Sequence, residues 1–439
     1  MEHECWIGIR GGSGVGLHLL GLRSDDGGVP DILNIHLKAF RTIRRTTARS
    51  CPTLDHPLET DVRWKVRPED FLVEEIVELP LRPGGPYVLY RVRKRERTTL
   101  EVQAELAARL GVPQRAVVFP ALKDREAIAI QTVAVRGRGP ARLRGRGFEA
   151  VRIGEADRPL RPQDLRGNRF VVRLRELDDL EIERLPAAVT ALATHGFPNY
   201  FDDQRFGSWS PEAGFIGRPL LLGQAEEVLR IYLAIPMVGD PLEVRTFKAE
   251  ARGLWGNWAA MRERAPRPSN YRSVLTFLND HPTDWRGAVR RIPARLRALW
   301  VDAYRAWIWN DMLRRIWALL PHVEIEIRGA QFPVPLERPQ DTEASVALPH
   351  RRARYESPWA EAMAAALAEE GLSLSHFRRR ALLEDAPPPT QRPVWCQPLA
   401  LELEELQPEK REALLVFELP PGSYGTLLLK TLATRIRGP

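Results

Sequence analysis

A chain of 439 residues, 44% hydrophobic and 28% charged, has the composition of a folded protein of two to three domains, which argues against disorder as its dominant state. It holds no apolar run of the roughly 18 residues needed to cross a bilayer, its start MEHECWIGIRGG has no charged-then-apolar signal pattern, and Cys5, Cys51 and Cys396 lie far apart with no histidine at ligand spacing; a membrane-spanning protein is excluded, and secretion, a disulfide framework and a zinc site are not expected. The net charge of +8 points to a polyanionic partner, the more so because residues 91 to 175 alone carry 21 Lys+Arg against 9 Asp+Glu.

Residues 1 to 50 lack a sustained hydrophobic period and are expected to form a poorly ordered extension. Runs rich in β-branched and aromatic residues then predict strands near 71–77, 87–92, 116–119, 128–135 and 170–174. A helix is expected between the second and third: Thr98 and Glu101 make a T-x-x-E capping box, Leu100, Leu106 and Leu110 read as the apolar face, and Gly111 is the stop. Strand, strand, helix, strand, strand is the order of an α+β domain with a largely antiparallel sheet.

From about residue 210 the pattern turns helical, with Trp255, Trp258, Trp285, Trp300, Trp307, Trp309 and Trp317 read as core. The clearest helix spans about 294–320, where Leu296, Leu299, Trp300, Ala303, Trp307 and Ile308 recur near the helical period. The proline-bearing stretch 332–358 reads as a loop, 358–371 as a helix and 384–393 (EDAPPPTQRP) as a linker. Strand patterning returns at 400–406 and 413–419, and LPPGSYGTLLLKTLATRI follows as a strand end, a turn and a helix. Strand-rich parts thus flank a helical middle, the pattern of one sheet domain interrupted by an inserted one.

Three stretches suit chemistry. FPALKDREAIAIQ (119–131) sets Lys123, Asp124 and Arg125 in a short turn between strands. An aspartate between two cations stays ionised, as a carboxylate nucleophile must, although a solvated turn aspartate would read the same. With seven lysines against 58 arginines, Lys65 and Lys123 mark places where a compact ammonium is wanted. RPLRPQDLRGNRFVV (158–172) interleaves Arg158, Arg161, Arg166 and Arg169 with a Gly-Asn turn and Phe170, which suits a pocket for an unstacked nucleotide or a solvated basic loop. FPNYFDDQRFG (197–207) reads equally as an aromatic recognition surface and as a buried aromatic anchor. Within the basic stretch, Arg93, Arg95 and Arg97 are candidates for phosphate contacts.

RPEDFLVEE (67–75), KDREAIAIQ (123–131) with FPA just before it, LRGNRF (165–170), NYFDDQRFG (199–207) and LPPGSYGT (419–426) occur in the order and approximate spacing of the tRNA pseudouridine synthase D (TruD) family. The chain resembles that family over about residues 60–435, apart from a poorly matching middle. The resemblance implies an α+β fold: a pseudouridine-synthase catalytic domain with a mixed, largely antiparallel sheet in two parts, 51–195 and 389–439, interrupted by an inserted helix-rich TRUD domain at 196–388. It also implies that Asp124 is the catalytic aspartate, with Lys123 beside it. Lys65, Phe71 and Glu75 match the first motif of the cleft, Asn168 and Phe170 match residues that contact the target uridine, and Tyr424 stands where the family usually has phenylalanine. Ala121, Ala129 and Asp202 depart from the usual glycine, threonine and glycine, which puts the shape of two turns in question.

The implied activity is isomerisation of a uridine in tRNA, uridine 13 of the D arm, to pseudouridine. It would need neither cofactor nor metal and no membrane, with a cytoplasmic monomer acting on tRNA. The alternatives are a non-catalytic RNA-binding protein that keeps the scaffold and a retaining glycosidase. The latter would need a second carboxyl about 5 Å from the first, and arginine-rich surroundings argue against a neutral sugar.

Overall fold

The computed structural model describes residues 63–123, 127–267, 269–378, 382 and 388–438. The expected extension 1–50, Asp124 and the first part of the expected linker lie outside the described residues.

In chain order the strands are β1 (Phe71–Val77), β2 (Tyr87–Lys94), β3 (Val117–Val118), β4 (Ile128–Arg136), β5 (Arg142–Gly145), β6 (Phe148–Ala156) and β7 (Leu165–Leu174), with helix α1 (Thr99–Leu110) between β2 and β3 and helix α2 (Asp179–His195) after β7. Short strands β8 (Phe197–Pro198), β9 (Trp209–Ser210) and β10 (Gly214–Phe215) lead into helices α3 (Gly217–Leu222), α4 (Ala225–Ala234), α5 (Leu242–Arg252), α6 (Trp258–Arg264), α7 (Asn270–Asp280), α8 (Trp285–Arg290) and α9 (Ala294–Trp317). Then come the hairpin β11 (His322–Ile327) and β12 (Ala330–Pro335), β13 (Ser345–Ala347), α10 (Trp359–Glu369), β14 (Gln391–Pro393) and β15 (Trp395–Cys396). The chain closes with β16 (Ala400–Gln407), β17 (Glu412–Leu419) and α11 (Gly425–Arg437). No helix among the described residues is long and apolar enough to cross a membrane.

Nine strands form one mixed sheet in the order β16-β17-β7-β1-β4-β2-β6-β5, with β3 added to β4. Among the described residues only the β1–β4 pair is parallel, and its crossover is supplied by β2, α1 and β3. Strands from the two ends of the chain meet at β7–β17, where Val171 faces Val416 and Phe170 faces Phe417. Because side chains alternate across a strand, Val73, Ala129, Phe170 and Phe417 share one face. That face is packed by Leu185, Val189 and Leu192 of α2 and by Leu427, Leu428 and Ile436 of α11. On the other half of the sheet Tyr90, Val92, Val133 and Ala150 pack against Val102, Leu106 and Ala107 of α1.

The local signals explain most element ends. At α1 the Thr98 side chain accepts from the Glu101 amide, Glu101 returns the bond to the Thr98 amide at 2.7 Å, and Gly111 ends the helix at φ 65°. Leu100, however, is exposed, and the buried face is Thr99, Val102, Leu106 and Ala107. Six residues turn a helix by about 600°, so Leu100 and Leu106 stand about 120° apart and cannot share a face. The tryptophans do sit in or against the core, but Leu299 is half exposed on the outer side of α9.

Four expectations are corrected. The pair β5–β6 has no strand signal in the sequence, because glycines and charged residues interrupt its alternation. Gly167 and Asn168 are mid-strand in β7 and not a turn, since β1 and β17 on either side supply their ladder. Residues 332–335 belong to a hairpin in the otherwise helical middle; Pro333 and Pro335 are two apart, so both missing donors fall on one edge of a two-stranded ladder. Finally, 391–393 pairs with β13, and Arg392 in it is buried.

Candidate active site

Three adjacent strands each place one polar side chain in the middle of the helix-covered face. Asn168 of β7 is directly opposite Glu75 of β1, and Val73 is beside Ala129 in the parallel ladder, so two residues further on Gln131 of β4 comes beside Glu75. All three are buried. Gln131 Nε2 donates to Glu75 Oε1 at 2.8 Å and to the carbonyl of Ala121 at 3.0 Å. Lys123 closes the cluster from above: its ammonium donates to Asn168 Oδ1 at 2.8 Å and lies 3.1 Å from Glu75 Oε1. The second Glu75 oxygen, Oε2, is buried with no hydrogen-bond partner among the described residues.

The remaining sites expected from the sequence lie next to this cluster. Phe170 is two residues from Asn168 on the same face of β7, with its ring stacked on Phe417 (centroids 4.9 Å apart) and edge-on to Phe71 (5.9 Å). Lys65 holds its ammonium 4.6 Å over the Phe71 ring, from a left-handed backbone at φ 69° that costs a non-glycine residue about 1 kcal/mol. Tyr424 is the residue before α11, its ring 6.4 Å from that of Phe201. Its neighbour Gly425 is what meets Phe170: a Cβ there would lie 2.8 Å from the ring, so no larger residue fits without displacing it. The structure therefore joins Glu75, Lys123 and Asn168 in one cluster, and Phe71, Lys65 and Phe170 in another beside it. Asp124 lies outside the described residues.

Two buried charges near Tyr424 were not singled out from sequence. Arg392 donates to the carbonyls of Asn199, Tyr200 and Gly422 and to Asn199 Oδ1, all within 3.0 Å, and stacks 4.0 Å from the centre of the Phe201 ring. Burial, with no carboxylate partner among the described residues, pulls this guanidinium down to about 10. Lys430 of α11 bonds Asp202 at 2.7 Å, Asp203, and the carbonyl of Glu326. Thr426 also donates to Asp202. Burial alone would raise the Asp202 carboxyl, but the Lys430 ammonium and these bonds hold it below the ordinary aspartate range.

The NYFDDQRFG segment is thus the buried anchor of its two readings, with Tyr200, Phe201, Asp202 and Phe206 all inside. The scarcity of lysine reaches beyond Lys65 and Lys123: Lys94, Lys248 and Lys430, three of the seven, are buried. No three His, Cys, Asp or Glu side chains among the described residues are grouped to hold a metal.

The basic stretch divides into two classes. Arg97 is committed to Glu105, the Arg146 carbonyl and the Glu101 carbonyl, Arg91 to Glu74, Arg158 to Asp164, and Arg175 to Asp70 and Glu412. Arg136 and Arg138 are exposed, and no acidic group among the described residues pairs with them.

A model of the tRNA pseudouridine synthase D (TruD) family matches residues 55–326. The chain is 32% identical to the tRNA pseudouridine synthase D of Geobacter sulfurreducens, over 85% of this chain and 94% of that protein. It is 24% identical to the tRNA pseudouridine synthase D of Aquifex aeolicus, over 85% of this chain and 98% of that one. The crystal structure of the TruD protein from Methanosarcina mazei superposes with a TM-score of 0.64 at 25% identity, covering 85% of this chain and 93% of that chain. With a family match over more than half its length and relatives spanned almost end to end, the chain belongs to the tRNA pseudouridine synthase D (TruD) family and is a pseudouridine synthase, an isomerase.

Proposed function

We propose that the protein converts uridine 13 in the D arm of tRNA to pseudouridine, in the cytoplasm and as a monomer, with Asp124 as the nucleophile. One observation carries the reading: Glu75, Lys123 and Asn168 come from three motifs far apart in the chain and meet in one hydrogen-bonded cluster, with the Lys123 ammonium at its centre. Asp124 is the next residue in the sequence. Residues 196–388 form the inserted TRUD domain in this reading, supported by the way β16 and β17 return to complete the sheet.

The target base leaves its stack at a cost of a few kcal/mol. The Asn168 amide and the Phe71–Phe170 wall then bound the pocket that receives it. Asp124 supplies the carboxylate, the bond from N1 to the sugar C1′ breaks, the uracil turns, and C5 bonds to C1′. C5 gives up its proton and N1 ends protonated, so the product is an isomer of the substrate.

The test is incubation of the protein with an unmodified tRNA transcript, followed by mapping of pseudouridine. Wild type should modify position 13, and Asp124→Asn, nearly isosteric, should bind tRNA with little change yet form no product. Product from the Asn variant would remove Asp124 from the mechanism, modification elsewhere would remove the position, and tRNA binding with no product from wild type would favour the non-catalytic reading.

A further inference from the structure

We propose that Thr99 and Gln131 are positioning residues that clamp the turn 121–123 leading into Asp124. The proposal rests on the reading that this turn carries the chemistry. Among the described residues, no backbone-to-backbone hydrogen bond reaches Ala121, Leu122 or Lys123, so neither β3 nor β4 holds them through its ladder. Their fixed points are side chains. The Lys123 amide donates to Thr99 Oγ1 at 2.9 Å, and Gln131 Nε2 donates to the Ala121 carbonyl at 3.0 Å.

Both clamps are themselves locked. Having accepted from Lys123, the Thr99 hydroxyl has one hydrogen to give, and Gln131 Oε1 takes it at 2.8 Å, closer than the alternative Lys123 carbonyl at 3.3 Å. The Gln131 carboxamide has one workable orientation, because its NH2 faces two acceptors, Glu75 Oε1 and the Ala121 carbonyl, while its oxygen faces a donor. A flipped amide would set oxygen against oxygen twice. Thr99 and Gln131 are only 2% and 1% exposed, so water cannot take over either bond. The bonds close a ring: Lys123 amide, Thr99, Gln131, Glu75, and back to the Lys123 ammonium. Lys123 is therefore gripped at both its main chain and its tip, with Thr99 at the first turn of α1 as the anchor.

The test uses the full chain with Thr99→Val, which keeps the shape and removes the hydroxyl, Gln131→Met as a second disruption, and Thr99→Ser as the conservative variant. Single-turnover rates at saturating tRNA, tRNA affinity and hydrogen exchange over residues 119–127 are read together. Thr99→Val and Gln131→Met should slow the chemical step by about 100-fold, the size expected of a catalytic group displaced by about 1 Å. Affinity should stay within a few-fold, and exchange should rise over 119–127 while the β1–β7 ladder stays protected. Thr99→Ser should recover both rate and protection. Unchanged exchange, an unchanged rate per folded molecule, or a Ser variant as impaired as Val would overturn the proposal. If Asp124→Asn keeps activity while Thr99→Val still loosens 119–127, the assigned nucleophile falls and the clamp stands.

Discussion

Glu75 and Asn168 stand directly opposite each other across the β1–β7 ladder and share one ammonium, that of Lys123. The Glu75 side chain is fully buried and that of Lys123 nearly so, which makes the pair costly to break from one side.

Lys123→Met should accordingly destabilise the protein by about 3 to 5 kcal/mol, because it leaves a buried carboxylate with the Gln131 amide as its remaining donor among the described residues. Adding Glu75→Gln should recover much of that loss without restoring pseudouridine formation. Urea unfolding of the two single variants and the double variant measures the coupling, and strictly additive losses would show that the two groups act independently.

Asp202 and Lys430 make a prediction about acid. The Asp202 carboxyl is held below its ordinary value, so the stability it contributes is present above the unfolded pKa of about 4 and is lost as pH falls through the lower folded value. Asp202→Asn should melt well below wild type at pH 7, and the gap should narrow as pH falls from about 4 into the acid range. A gap of constant size across that range would mean that the charge of Asp202 adds nothing.

Among the arginines, the committed and the uncommitted should behave differently. Replacing Arg136 and Arg138 with Gln should weaken RNA binding and lower the slope of log affinity against log salt by about 0.7 to 0.9 for each phosphate that the variant leaves unneutralised, with no change in melting. Arg97→Ala should instead lower the melting temperature, since three hydrogen bonds to the fold depend on it. Equal salt slopes for wild type and the Arg136, Arg138 variant would show that this edge faces solvent in the complex.

Much of the architecture was legible from local chemistry. The capping box and the αL glycine bound α1, the β-branched runs mark β1, β2, β4 and β17, the scarcity of lysine marks Lys123, the basic and aromatic stretch marks Asn168, and motif resemblance adds Glu75. These are properties of neighbouring residues: a cap, a period of two, a turn. The resemblance assigns Phe170 to the base pocket, but the partners that set its ring in place, Phe417 stacked on it and Gly425 against it, lie about 250 residues away, where no local pattern could name them.

The amphipathic signal says which side chains of a strand share a face and is silent on which strand lies alongside. That β4 sits beside β1 in parallel, and β7 between β1 and β17, is a matter of long-range pairing, and this order brings Gln131, Glu75 and Asn168 side by side. The same holds for the buried charges. Sequence shows Lys430 and Arg392 as ordinary polar residues and Asp202 as a departure from a usual glycine, and only the packing of α11 and β14 against the 199–203 segment removes water from them and makes each depend on its new neighbours. Local patterns determine elements because their causes lie within one turn or one strand; the site was decided by tertiary structure because desolvation and hydrogen bonding act between residues that are neighbours only after folding.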